Sequence, residues 1–237
     1  MQPSEIRELV PIQLLPQTPL GALGPYVRER VRVASRTFLI ERPQESEHLL
    51  AHPDVRAAFE IDEFLPYWTE LWPASRMLAR AVLQERWPTR QHVLELGCGL
   101  GLPGVAALSV GHSVTFNDCD LTALHFAANN AHLNGFCDFE VLHFDWRNPP
   151  YDRQFDVVVA SDVIYELRHI NPLVAIIQTI LRPGGFCLLT DQDRLPAYNL
   201  TDALIGEGLP YSARAVRAGT PGGRRVKGTL YRINVPG

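Results

Sequence analysis

The chain has 237 residues, 46% of them hydrophobic and 20% charged, and its 22 Lys and Arg against 26 Asp and Glu leave a net charge of −4. That balance fits an ordinary globular protein with one large domain, or one domain with an appendage, and excludes collagen-like, disordered and coiled-coil chains. No apolar run approaches the roughly 18 residues of a membrane span, and the N-terminus lacks a basic start followed by an apolar stretch, so a cytoplasmic protein with no membrane partner is expected.

The first 91 residues have no regular rhythm. Residues 30–40 read as a hairpin or a pair of short strands, and residues 43–60 as helix in two pieces broken at His52-Pro53. An aromatic stretch, LPYWTELWPAS (65–75), runs into a helix expected over 76–86. With no internal repeat and no low-complexity linker, residues 1–63 are expected to cap a domain of residues 64–237.

From residue 92 strands and helices alternate. HVLEL (92–96) is a short apolar strand, after which Pro103 stands at a first helical position and Gly111 closes the helix. SVTFN (113–117) is a second strand. Asp120 then caps a helix over 121–134 that ends at Asn134-Gly135. FEVLHF (139–144) and FDVVVAS (155–161) follow, the latter apolar enough to be buried on both faces. A helix carrying Ile170, Leu173, Val174, Ile177 and Leu181 ends at Arg182-Pro183-Gly184-Gly185, and FCLLT (186–190) is a fifth strand. Residues 209–217 and 225–235 form a last hairpin. The fold expected is α/β, a Rossmann-like doubly wound sheet of seven strands, mostly parallel with a C-terminal antiparallel hairpin, plus the N-terminal cap.

The chemistry gathers at the strand ends. In VLELGCGLGLPG (93–104) the first strand leads through Glu95 into Gly97, Gly99 and Gly101. Glycine there lets the backbone turn sharply and a ligand approach, and a helix N-terminus beyond it favours an anionic group. The dinucleotide fingerprint would need its third glycine at Leu102, so NAD fits less well. Glu95 could accept hydrogen bonds from an ammonium group or orient the loop. Asp118, nineteen residues past Gly99, could take both hydroxyls of a ribose. Asp145 and Trp146 after the third strand could meet an adenine, or be a loop acid and a core indole. Asp162, Tyr165 and Glu166 follow the fourth strand. Polar residues at four successive strand ends are more specific than any one of them.

ELGCGLG followed by NDCD, FDW, ASDVIYE and LRPGG resembles the class I, seven-stranded S-adenosylmethionine (SAM)-dependent methyltransferases. The lead-in YWTELWPAS and the DxxY pattern of Asp162 and Tyr165 are similar to methyltransferase family 16, which holds seven-stranded protein-lysine methyltransferases. NDCD is similar to the branch that modifies the electron-transfer flavoprotein β subunit. The resemblance covers about residues 64–190. It implies SAM as cofactor and S-adenosylhomocysteine as product, with Glu95, Gly97, Gly99 and Gly101 flanking the methionine part. It further implies Asp118 on the ribose, Asp145 and Trp146 on the adenine, Trp72 against the cofactor's other side, and Asp162 and Tyr165 facing the acceptor. The acceptor it implies is a protein lysine, with a small-molecule amine or a non-catalytic SAM-binding scaffold as alternatives.

Other signals are weaker. His48 and His52 lack a third ligand, so no metal is expected. Ser161 lacks a GxSxG elbow, which disfavours a hydrolase. The four scattered cysteines read as reduced thiols, Trp68 as core, and the chain as a monomer. Residues 211–237 carry six basic groups and no acid, so the first 210 carry 16 − 26 = −10. The acidity disfavours nucleic acid as a partner. The basic tail either docks an acidic partner or offsets the acidic body.

Overall fold

The computed structural model describes residues 7–8, 18, 23–44, 49, 51–63, 65–149, 153–219, 223 and 225–237. Among them the chain runs β1 (Arg7–Glu8), β2 (Tyr26–Val33), β3 (Arg36–Pro43), α1 (Pro53–Asp62), α2 (Pro73–Gln84), β4 (His92–Leu96), α3 (Leu102–Ser109), β5 (Ser113–Asp118), α4 (Leu121–Leu133), β6 (Phe139–His143), β7 (Phe155–Ser161), α5 (Ile170–Ile180), β8 (Leu181–Asp191), α6 (Ala197–Gly206), β9 (Tyr211–Ala218) and β10 (Val226–Asn234).

An apolar run such as β7 needs cover on both faces, and it has it. Val157 and Val159 enter one core layer with α2, α3 and α4, while Val158 and Ala160 enter the other with α5 and α6. The sheet order is β1-β6-β5-β4-β7-β8-β10-β9. β4, β5, β6, β7 and β8 are parallel, β10 runs antiparallel to β8, and β9 antiparallel to β10. These seven strands make the doubly wound sheet with its terminal hairpin, and the short β1 adds parallel to β6 at one edge. The chain leaves β4 in one direction for β5 and β6, then returns to its other side for β7 and β8. Loops therefore diverge beyond the carboxyl ends of β4 and β7, which opens a crevice there.

Three local expectations change. α2 starts at Pro73, three residues before the expected start, because proline suits a first helical turn. The Arg182-Pro183-Gly184-Gly185 segment is not a turn outside the sheet but the start of β8, with Leu181 paired to Phe155 across an irregular register. α6, which the pattern reading lacks, buries Ala197, Leu200 and Leu204 against the second core layer's side of the sheet. The first helical piece expected before His52 (residues 45–48 and 50) and the turn residues 220–222 with Arg224 lie outside the described residues, as does most of the N-terminal segment.

The hairpin β2–β3 is bound to the main core. Val31, Val33, Phe38 and Ile40 join the layer that holds α3 and α4. Asparagine amides of α4 and its C-cap pair with β3 as a neighbouring strand would. Asn130 accepts from the Glu41 N–H at 2.7 Å and donates to the Glu41 carbonyl at 3.1 Å. Asn134 does the same with Leu39 at 3.0 and 2.8 Å. Asn130, fully buried, also donates to the Leu100 carbonyl at 3.0 Å, which ties the hairpin to the glycine loop. Asn130→Ala leaves these buried groups unpaired, so unfolding stability is expected to fall by about 2–4 kcal/mol, measurable by denaturant titration. A loss below about 0.5 kcal/mol would show that water replaces the amide.

Candidate active site

The crevice is walled on one side by the glycine loop and on the other by the segments after β6, β7 and β8. Gly97, Gly99 and Gly101 all take positive φ, at 63°, 51° and 76°. At Gly101 the close approach decides the residue type: a Cβ would stand 2.9 Å from that of Ala127, so α4 packs directly on the loop. At Gly97 a Cβ would press within 3.2 Å of the Trp146 ring and 3.1 Å of Val163. The loop is held from below by Cys98 N–H to the Asn117 carbonyl at 2.7 Å.

Of the residues singled out in the sequence, Trp72, Gly97, Gly99, Gly101, Asp118, Asp145, Trp146, Asp162 and Tyr165 all line this one crevice. Glu95 does not. It is buried beneath the loop, where Oε2 accepts the Gly104 N–H at 2.8 Å in the first turn of α3. Burial raises its pKa well above the carboxylate range, against the opposing pull of that N–H, and among the described residues Oε1 has no hydrogen-bond partner. Its position is that of a loop organiser.

Asp118 ends β5. Its oxygens accept the Gly99 N–H at 2.9 Å and the Asp120 N–H at 3.0 Å, which leaves further lone pairs for a ligand. Burial pushes its pKa up to about 6, although both N–H groups favour the charged form. Asp120 caps α4 through Thr122 and also takes the Trp68 indole N–H at 2.8 Å, which fixes Trp68 as buried structure at the crevice wall. Asp145 is engaged by Arg147, with Nε donating at 2.8 Å, beside the Trp146 ring. The Trp72 indole donates to the Tyr67 carbonyl at 2.7 Å.

Asp162 sits in the left-handed region, φ 59°, which aspartate tolerates better than most residues. Its N–H donates to the Thr190 carbonyl at 2.8 Å, locking the turn. Its carboxylate, only 6% exposed, receives a two-pronged contact from Arg194, Nε at 3.2 Å and Nη2 at 3.1 Å, and a further bond from the Gln192 amide. Arg194 also lies over the Trp72 ring, 5.3 Å from its centroid. Tyr165 meets Tyr67 edge-on at 5.3 Å and His169 at 5.2 Å. Burial raises the Tyr165 phenol far above its ordinary range and lowers His169, in both cases favouring the neutral form.

Arg194 and Gln192 are the site residues that sequence reasoning missed. Their signal was available, since Asp191-Gln192-Asp193-Arg194 runs from the last residue of β8, a fifth polar strand end.

The family described as lysine methyltransferase matches residues 67–199, more than half of the chain. The chain belongs to that family. The family is one of SAM-dependent methyltransferases. Curated relatives include a ribosomal protein L11 methyltransferase of Photobacterium profundum, 35% identical over 39% of this chain and 31% of that protein. A histidine protein methyltransferase 1 homolog of Dictyostelium discoideum is 28% identical over 52% of this chain and 42% of that protein. The chain thus spans less than half the length of these relatives. Among solved structures, an N-methyltransferase of Bradyrhizobium japonicum in complex with S-adenosyl-L-homocysteine superposes with TM-score 0.55, 18% identity, and 69% and 86% of the two chains. A ribosomal protein L11 methylase of Lactobacillus delbrueckii gives TM-score 0.53, 22% identity, and 66% and 77%. At such identities these structures establish the fold.

Proposed function

We propose that this chain transfers a methyl group from SAM to a nitrogen of a protein side chain, lysine first. The observation that carries this reading is the buried carboxylate of Asp162, presented at the end of β7 beside Tyr165 and Tyr67 in the same crevice as the glycine loop and Asp118. In this reading residues 64–237 are the methyltransferase domain and residues 1–63 its cap.

The residues present fit the cofactor. Asp118 has lone pairs facing the crevice for ribose hydroxyls, the loop glycines leave room for close backbone approach, and Asp145 and Trp146 offer an acceptor and a flat surface for adenine. Trp72 closes the opposite side, and Glu95 acts through the loop by fixing α3. When bound, SAM supplies a sulfonium-activated methyl group and leaves as S-adenosylhomocysteine. The chain's own task is positioning, which can contribute several kcal/mol to lowering the barrier.

An acceptor amine needs its lone pair, so it must be neutral in the site. Tyr67 and Tyr165 desolvate it, which disfavours its charged form, and the Arg194 guanidinium offsets the pull of Asp162 toward protonation. Asp162 then aligns the nitrogen by accepting one of its N–H groups. Exposed apolar side chains next to crevice-lining residues, Leu167 at 62% and Leu195 at 83%, suit a macromolecular acceptor. The names of the relatives above, which act on proteins, point the same way.

The test is incubation of the chain and labelled SAM with a lysate of cells lacking it. A labelled protein band that yields methyl-lysine on hydrolysis is expected. Methyl-histidine would overturn the lysine assignment, and label confined to small molecules would overturn the protein acceptor. The absence of any thermal shift with millimolar SAM would sink the whole reading.

A further inference from the structure

A second groove, of about 450 Å³, lies where the β2–β3 turn, α2 and the β9–β10 hairpin meet. Arg32, Arg76, Arg80, Arg217 and Arg225 line it, and among the described residues no acid does. Arg32, Arg80, Arg217 and Arg225 are exposed and make no ion pair among the described residues. Arg76 is different: it is 7% exposed, and among the described residues its buried Nε has no hydrogen-bond partner and its nearest carboxylate, Glu29, stands 3.8 Å away and is shared with Arg42. One carboxylate between two guanidinium groups leaves the groove positive.

The groove also has a fixed relation to the crevice. Trp72, which borders the crevice, is the residue before α2, and Arg76 and Arg80 lie about 6 Å and about 12 Å further along that helix. A protein with its side chain in the crevice would extend over this distance.

We propose that the groove docks an acidic segment of the acceptor protein, its carboxylates received by the guanidinium forks. The proposal rests on the protein acceptor proposed above. Guanidinium groups pair two-pronged with carboxylates, and opposite charges steer encounter and fix register. An extended nucleic acid is disfavoured, because it needs a continuous basic track and the chain outside its last 27 residues carries −10.

Binding of a fluorescein-labelled oligoglutamate peptide, followed by anisotropy at low salt, tests this without any methyl transfer. The Arg217→Gln/Arg225→Gln variant is expected to bind about tenfold more weakly than the unaltered chain. The charge-matched Arg56→Gln/Arg182→Gln variant is expected to bind within about twofold of it. SAM affinity, measured by calorimetry, should be the same in all three. Equal losses in both variants, or no peptide binding, would overturn the proposal. So would displacement of the peptide by inorganic phosphate at equal concentration, or tighter binding of an oligonucleotide of equal charge. If the peptide fails to bind while a protein is still methylated, docking alone fails; if it binds and no protein is methylated, the proposed acceptor fails.

Discussion

Asp162→Asn is expected to lower turnover by about 100-fold or more while SAM binding stays within about twofold. The substitution keeps the shape of the side chain and its capacity for the left-handed backbone at this position, since asparagine tolerates that region as aspartate does. It removes the charge that holds both Arg194 and, in the proposed reaction, the acceptor nitrogen. With one oxygen left to accept, the amide cannot keep the two-pronged Arg194 contact and also align an amine. Rapid-quench turnover and calorimetry with SAM separate the two effects, and full turnover in the variant would remove Asp162 from the mechanism. Arg194→Gln is the companion. Without its guanidinium, Asp162 pulls more strongly on the amine's proton and raises the acceptor's pKa, so the rate should reach its plateau at higher pH than in the unaltered chain. An unchanged pH profile would mean that Arg194 serves packing alone.

The parallel core was legible because its signals are local. A run such as Phe155–Ser161, short, β-branched and bounded by polar ends, reads as a doubly covered strand, and Gly97, Gly99 and Gly101 mark a sharp turn that leaves room for a ligand. What the sequence hid depends on contacts between distant segments. Arg194 reaches Asp162, 32 residues earlier, only because β7 and β8 are neighbours. The Pro183-Gly184-Gly185 signal favours a turn locally, yet the ladder with β7 and the closing β10 draws the segment into β8. The basic character of the last 27 residues was readable as a count. The groove was not, because half of it comes from Arg32, Arg76 and Arg80 on segments far away in sequence. Glu95 shows the converse. Its place before the glycines suggested either a ligand contact or a loop support, and only the N–H of Gly104 in α3 shows where the carboxylate is spent.

Asp118→Asn is expected to weaken SAM binding by about 100-fold, since two hydroxyl bonds to a charged acceptor are each worth about 1.5–3 kcal/mol and the amide loses part of both. The same carboxylate gives the affinity a pH dependence of definite sign. Burial raises the folded-state pKa of Asp118 from 3.8 to about 6, so between those values the folded chain holds a proton that the unfolded chain has released. Stability from this group is therefore present below about pH 3.8 and declines as pH rises through 6, because ionisation in the buried site is unfavourable. Ligand hydroxyls donate to the ionised form and reverse that preference. SAM affinity should then fall by up to about tenfold for each pH unit below 6, and Asp118→Asn should flatten the curve. Burial also raises Glu95 and Asp120, which are held by backbone N–H groups beneath and beside the loop, and pushes Asp191 up to about 6, which makes Asp191 a competing source. Asp191 lies under the Arg194 backbone and does not line the crevice, so Asp191→Asn should leave the slope in place. If the slope vanishes in Asp191→Asn and persists in Asp118→Asn, the ribose is not held by Asp118, and the proton that governs binding belongs to the end of β8 behind the crevice wall.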